Sequence, residues 1–355
     1  MSQPKNDRLL KAIWREPVDT TPIWIMRQAG RYLPEYRRTR ERAGSFMTLC
    51  KTPELACEVT LQPLERYDLD ASIIFSDILT IPDAMGLGLQ FIEGSGPCFT
   101  HPLRTEEDIR RLTVPDKEKL NYVYDAIRLV QHELAGRIPL IGFCGSPFTL
   151  AAYMIEGQSK PGFPRIMHLL EQEPFLLHTL LDGLAESVIA HLNAQIEAGV
   201  DVVMVFDTWG GMLNTKNYEE FSLYYIRRII TGLLRNYNNK KIPCILFTKS
   251  GNEWLSQMAE TGCDVIGVDW EISLQAAREQ VGAKVALQGN MNPAYLKEKP
   301  EIIQDEVKRI LESYGQGSGH VFNLGHGITP DVPPEHVKIL VDTVHELGKR
   351  VNYAD

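Results

Sequence analysis

The sequence predicts an α/β fold, a (β/α)8 barrel of the TIM-barrel class, and two observations carry that reading. Eight short runs rich in Val, Ile and Phe recur along the 355 residues, each apolar on both faces, as strands covered on two sides must be. Most of these runs are separated by amphipathic segments long enough for a helix, the alternation that builds a closed parallel sheet. A third observation sets the domain count. No low-complexity linker or internal repeat interrupts the pattern, so residues 1–355 read as one domain with a short N-terminal helical segment before the barrel.

The strand runs, in order, are 22–26, 72–76, 139–144, 202–206, 244–247, 265–268, 285–287 and 321–323. Helix signals stand between them. Thr52-Pro53-Glu54 offers a cap, a proline at the first helical position and an early acid. Pro63 inside the 52–67 helix is an awkward fit and predicts a kink or an early end. Pro333-Pro334-Glu335 opens a last helix, on which Val337, Leu340, Val341, Val344 and Leu347 recur at helical spacing and which Gly348 should stop. The glycine-rich stretch 86–102 reads as an irregular excursion beyond one strand.

Composition narrows the function classes. With 37 basic and 46 acidic side chains the formal charge is -9, which argues against nucleic acid and against docking on an anionic membrane. Residues 1–8 are polar with no apolar stretch behind them, so no signal peptide is read. The longest weakly polar run, 140–155, is broken by Gly142, Gly145, Ser146 and Pro147 and is too short to span a bilayer. Six cysteines lie scattered without a paired motif, which suits reduced, mostly buried thiols in the cytoplasm.

Against this acidic background the stretch Met26-Arg27-Gln28-Ala29-Gly30-Arg31-Tyr32-Leu33-Pro34-Glu35 opens a local excess of arginine: Arg27, Arg31, Arg37, Arg38, Arg40 and Arg42. Guanidinium forks match carboxylate or phosphate oxygens two at a time, so a small polyanion is the expected ligand. Arg27 and Arg31, four apart, would point the same way on a helical turn. Arg37, Arg38 and Arg42 read as a solvated helix face.

Reactive groups of a barrel sit where its strands end. Those positions are Arg27, Asp77, Gly145-Ser146, Asp207-Thr208-Trp209, Lys249, Asp269-Trp270, Gly289-Asn290 and Gly325-His326-Gly327. Asp77 reads equally as an N-cap and as a buried anion in need of donors. Tyr153 is either core packing or a hydrogen-bond donor to ligand. His326, between two glycines, is either a satisfied structural residue or a ligand contact. Lys249 reads as a charge partner more readily than as a Schiff-base amine. Gly315-Gln316-Gly317-Ser318-Gly319 looks like a phosphate loop but precedes a strand instead of following one. Walker, HExxH, paired-cysteine zinc and Gly-x-Ser-x-Gly patterns are absent, so no nucleotide, metal or redox centre is expected.

Four segments together carry a family resemblance: MRQAGRYLPE at 26–35, FSDIL at 75–79, CGSPFT at 144–149 and NLGHG at 323–327. They resemble the uroporphyrinogen decarboxylases of haem biosynthesis, in register from about residue 6 onward and in the form of the bacterial branch. The resemblance implies a homodimeric barrel that converts the four acetate side chains of uroporphyrinogen III to methyl groups, giving coproporphyrinogen III with no cofactor. By matching motif position, Arg27, Gln28, Ala29, Gly30 and Arg31 would hold substrate carboxylates. Asp77 would face the pyrrole N–H groups, Tyr153, Thr208 and His326 would contact substrate, and Arg40 and Phe206 would line the pocket. Thr208 stands where some members carry serine, and keeps the hydroxyl.

The chemistry is compatible. Many decarboxylases lend the electron pair to a cofactor ring, whereas a pyrrole protonated beside the acetate is its own sink. Such a step needs an anion near the ring nitrogens, a proton for the ring carbon, and cations for the carboxylates that do not react. Asp77, with an ordinary pKa of about 3.9, is expected to be ionised. Arg27, a bound water and His326 are the candidate acids. Two rival readings use the same residues differently. A cobalamin-linked methyltransferase of the same superfamily would need a zinc-thiolate element, but the loop after the fifth strand reads Thr248-Lys249-Ser250-Gly251. A non-catalytic polyanion carrier would use the same binding residues without turnover.

Overall fold

In a computed structural model that describes residues 4–92 and 96–352, seven parallel strands lie side by side in chain order. They are β1 (Ser72–Ile73), β2 (Leu140–Gly145), β3 (Val202–Asp207), β4 (Cys244–Thr248), β5 (Val265–Gly267), β6 (Ala286–Met291) and β7 (His320–Leu324). Segment 22–26 closes the barrel between β7 and β1. Ile23 bridges Phe322 in parallel, the Phe322 N–H donates to the Pro22 carbonyl at 2.8 Å, and the Asp70 N–H donates to the Ile23 carbonyl at 2.9 Å.

This segment was expected as a full strand and is not one. Pro22 has no N–H to give. The Ile23 N–H goes to the Asp70 carboxylate at 2.8 Å, and the Met26 N–H to Asn323 Oδ1 at 2.9 Å. Side chains take the place of the ladder here. β1 is short for the same reason, since the Phe75 N–H turns to Thr60 Oγ1 at 2.9 Å. At β6 the error runs the other way: Gly289 and Asn290, expected in a loop, lie inside the strand.

The lumen is a packed core. Residues two apart share the inner face, and Trp24, Met26, Ile73, Ile141, Val202, Met204, Ile245, Phe247, Val265, Ala286 and Val321 form one buried cluster. Leu9, Ala12 and Ile13, from the helix Arg8–Ile13, belong to that cluster and plug the barrel at the strands' amino-terminal end. Phe143 and Phe206 pack on it from nearer the carboxyl-terminal end and remain only partly buried. They floor the open mouth.

Asp70 fastens the plug end. It is fully buried and accepts from Asn6 Nδ2 at 2.9 Å, Arg8 at 3.2 Å, the Ile23 N–H at 2.8 Å and His345 Nε2 at 2.7 Å. Removing one partner of a buried charged network leaves the others uncompensated, so Asp70→Ala should cost about 3 kcal/mol in urea unfolding. A loss under about 1 kcal/mol would contradict that role.

Several helix signals resolved differently from the sequence reading. The helix Pro53–Arg66 runs through Pro63, which sits in its last turn, where only one hydrogen bond is forfeited. The Thr52 hydroxyl does not cap that helix; it donates back to the Thr48 carbonyl at 2.8 Å. The helix Pro334–Asn352 continues past Gly348, and a Cβ at Gly348 would lie 2.8 Å from Thr20 Oγ1, so close packing explains that glycine. Within 86–102, Leu89–Ile92 and Gly96–Phe99 pair as an antiparallel hairpin; residues 93–95 of that stretch lie outside the described residues.

The 140–155 run divides into β2 and the helix Pro147–Glu156. Among the described residues, the helix long and apolar enough to cross a membrane is instead Pro174–Ala198, with 56% of its apolar window buried inside the protein. It is a core helix. His191 meets the Tyr124 hydroxyl at 2.9 Å, and Gln195 bonds both the N–H and the carbonyl of Phe143 at 2.9 Å.

Candidate active site

The arginine loop is built by its backbone. Arg27 adopts φ 67°, a left-handed conformation that is rare and strained outside glycine. Arg27 and Arg31 therefore do not share a helical turn, and the spacing argument for them is corrected. Gly30 makes the fold-back possible, because a Cβ there would sit 2.9 Å from the Arg27 carbonyl. Gly327 does the same from β7, where any side chain would collide with Arg27 Cδ. Arg27 thus lies along the Gly325-His326-Gly327 loop.

Both Arg27 and Arg31 are exposed. Among the described residues neither guanidinium has an ion pair or hydrogen bond, and the backbone N–H groups of Ala29, Gly30 and Arg31 have no acceptor. That is a cluster of unused donors. Arg37, read as part of a solvated face, instead holds the loop by donating to the Arg31 carbonyl at 2.8 Å. Arg42 pairs with Glu58.

Gln28, unlike Arg27 and Arg31, turns inward. Its side chain is fully buried, with Oε1 accepting from the Ile25 N–H at 3.2 Å and Nε2 donating to the Ala71 carbonyl at 3.3 Å. Its own N–H is spent on the Ile25 carbonyl at 2.8 Å. Gln28 staples the loop to the barrel, a supporting role beside the substrate contact expected of it.

Asp77 lies beyond β1 where the mouth opens. Oδ1 accepts from the Leu79 N–H at 2.8 Å, so the capping role is real, but among the described residues Oδ2 has no partner. Protein encloses the carboxyl and raises its pKa to about 6; the Leu79 N–H and Arg27 pull it down, and Asp83 pushes it further up. Asp77 remains mostly ionised at neutral pH, though its pKa lies above the ordinary carboxyl value of about 3.9. Arg27 acts on it without closing an ion pair.

Tyr153, half-buried, packs edge-on against Phe163 at 5.7 Å and Trp209 at 6.1 Å, and both Asp77 and Arg27 act on its hydroxyl. Thr208 is half-buried, and among the described residues its hydroxyl has no partner. Phe206 stacks edge-on with Phe143 at 5.5 Å, an apolar floor for a flat ring. Arg40 sits on the arginine-loop side, acting with Arg31 on Tyr36, whose ring meets Phe75 at 5.6 Å.

His326 meets Phe247 edge-on at 6.4 Å. Burial, Arg27 and Lys249 push its pKa down to about 4, against a smaller upward pull from Asp269. At neutral pH it is an uncharged imidazole, able to donate one hydrogen bond and poorly suited to be the acid.

Asp207, Asp269 and Asn323 matter more than their sequence positions suggested. Asp207 is fully buried and pairs with no cation among the described residues; Ser146 at 2.5 Å, Thr149 at 3.3 Å, Ser222 at 2.8 Å and Thr248 at 3.2 Å donate their hydroxyls to it. It draws the ends of β2, β3 and β4 together and fixes Thr208. Asp269 accepts the Ser250 N–H at 2.7 Å and Asn252 Nδ2 at 2.6 Å. Four hydroxyls from three separate segments leave no local pattern, so only the aspartate ending an apolar run could have hinted at this.

Arg27 is therefore the common neighbour of Asp77, Tyr153 and His326. A cleft of about 720 Å³ lined by Met85, His101, Arg111 and Lys119 contains none of these residues. Its arginine pairs with Asp108 and its Lys119 with the Ala84 carbonyl, so its cations are already engaged.

Comparison with known proteins places this arrangement. A family model described as uroporphyrinogen decarboxylase (URO-D) matches residues 4–347. The uroporphyrinogen decarboxylase of Thioalkalivibrio sulfidiphilus is 60% identical over 351 residues, 99% of this chain and 100% of that protein. The Shigella flexneri protein of the same name is 57% identical, with 99% of both chains covered. Among solved structures, a methyltransferase from Methanosarcina mazei superposes with a TM-score of 0.82 at 24% identity, over 98% of this chain and 99% of that one. That likeness speaks for the fold alone.

Proposed function

The chain belongs to the uroporphyrinogen decarboxylase family, and on that premise we propose that it removes the four acetate carboxyl groups of uroporphyrinogen III. The products are coproporphyrinogen III and CO2, and the reaction runs without a cofactor. The observation that carries this reading is the half-free carboxylate of Asp77 at a mouth rimmed by cations that, among the described residues, have no ion pair. A porphyrinogen has the complementary layout, with N–H donors at its centre and carboxylates around its edge.

In this reading Asp77 accepts hydrogen bonds from the pyrrole N–H groups through Oδ2, and Arg27 orients the reacting acetate. Arg31, Arg40 and the N–H groups of Ala29, Gly30 and Arg31 hold the carboxylates that do not react. Tyr153, Thr208 and neutral His326 donate to substrate oxygens, while Phe206 supports the ring. Protonating the ring carbon beside the acetate gives a cationic pyrrole. The C–C bond pair then neutralises that ring as CO2 leaves, and the exocyclic carbon takes up a proton as the ring carbon loses its own. One proton is consumed per acetate. A fixed anion under the ring lowers the cationic intermediate selectively. The same reading has the chain act as one barrel domain, a cytoplasmic homodimer on a small tetrapyrrole, with no nucleic-acid or membrane partner.

The test is direct: purified protein supplied with uroporphyrinogen III should release four CO2 per macrocycle. Because kcat/KM reports ionisation of the free enzyme, it should rise with pH through about 6, the value to which burial lifts Asp77, and level off above. Absence of CO2 release, with the macrocycle still bound, would turn the reading into a carrier; an activity flat from pH 5 to 8 would detach Asp77 from it.

A further inference from the structure

Lys249, at the end of β4, is a cation the roles above leave unused. Its ammonium lies 5.7 Å from the centre of the Trp209 ring and, among the described residues, has neither an ion pair nor a hydrogen bond. The strand it follows sets Phe247 against His326 of the β7 loop at 6.4 Å, and the Lys249 charge reaches that imidazole, whereas Arg31 and Arg40 act on Tyr36.

The backbone beneath Lys249 is held on both sides. Its N–H donates to the Asp207 carbonyl at 3.4 Å, and its own carbonyl lies where a Cβ on Gly211 would fall. Ser250, next in the chain, is fixed at φ 55°, with its N–H on Asp269 at 2.7 Å. A surface lysine with a mobile base forfeits much of its binding energy to ordering. This one rises from a fixed base, its position favoured by an aromatic face.

We infer that Lys249 is a specificity-determining residue of the same site: with His326, it binds a propionate carboxylate that survives the reaction, on the rim away from Arg31 and Arg40. The inference rests on the decarboxylase reading and adds an anchor to it. Propionates are common to substrate, partly decarboxylated intermediates and product, so an anchor on one of them holds the macrocycle equally at each of the four rounds.

The test compares wild type with Lys249→Met, which keeps the stem over Trp209 and removes the charge, and with Lys249→Arg. A third variant, Lys241→Met, removes an equivalent charge from a lysine 3.8 Å over the Trp14 ring, outside this site. Lys249→Met should raise KM about tenfold with kcat changed less than about twofold. The increase should be the same for uroporphyrinogen and for the intermediate carrying one remaining acetate. Lys249→Arg should recover most of the loss, and Lys241→Met should leave KM unchanged.

An unchanged KM in Lys249→Met, or an equal rise in Lys241→Met, overturns the inference while wild-type turnover keeps the decarboxylase reading intact. A rise confined to uroporphyrinogen would mean that Lys249 grips an acetate, which also overturns it. Failure of wild type to release CO2 would instead strike the underlying reading.

Discussion

Asp77→Asn should fold, bind the macrocycle and lose about 10²- to 10³-fold in kcat, the loss typical of removing one preorganised charge-stabilising group. The asparagine Oδ1 can still accept the Leu79 N–H that Asp77 holds at 2.8 Å, so the turn survives and only the charge is lost. The same substitution should make the protein more stable at neutral pH. Burial lifts the folded pKa of Asp77 to about 6, above the ordinary carboxyl value near 3.9, so the folded state binds this proton more tightly than the unfolded chain does. Stability therefore falls as pH rises from about 4 to 6, and the cost is fully present above that window. Discounted for water in the open mouth, Asp77→Asn should gain on the order of 1–2 kcal/mol at pH 7.5 and nothing near pH 4. Urea unfolding at the two pH values measures this. Near-normal kcat, or lower stability at pH 7.5, would contradict the assignment.

Arg27→Ala should lower kcat/KM about 100-fold, with part of the loss in kcat, because Arg27 neighbours the anion, the tyrosine and the histidine of the site. Arg31→Ala, on the Tyr36 side of the mouth, should cost about tenfold and mainly in KM. Arg27→Lys keeps the charge but not the fork, and should recover only part of the loss. None of the three should change unfolding stability by more than about 0.5 kcal/mol, since the side chains are exposed and unpaired. An Arg27→Ala enzyme with kcat intact would reduce Arg27 to a binding residue. Arg31→Ala with unchanged KM would return Arg31 to a solvated face.

The barrel was legible because apolar runs and amphipathic segments alternate, and that rhythm reports burial directly. Where side chains usurp backbone partners, the rhythm misleads. Segment 22–26 has a strand's composition, but Asp70 and Asn323 capture two of its N–H groups. The candidate site was legible as residue types at strand ends, where Asp77, Arg27, Tyr153, Thr208 and His326 stand. What sequence could not separate was contact from support. Gln28 and Arg27 are neighbours in one motif, yet one side chain turns inward and the other outward, because Arg27 takes a left-handed φ. The ionisation of Asp77 was hidden as well, since it depends on how much protein closes around the carboxyl. The hydroxyl cage of Asp207 joins positions as far apart as Ser146 and Thr248, a separation no local pattern spans.

The measurement closest to the central claim is a structure with coproporphyrinogen held reduced in the mouth. Asp77 Oδ2 should lie within about 2.7–3.2 Å of at least two pyrrole nitrogens, with Arg27 and Arg31 on carboxylates at the macrocycle's edge. A macrocycle seated with its nitrogens turned from Asp77, or bound outside the ring of cations, would contradict it.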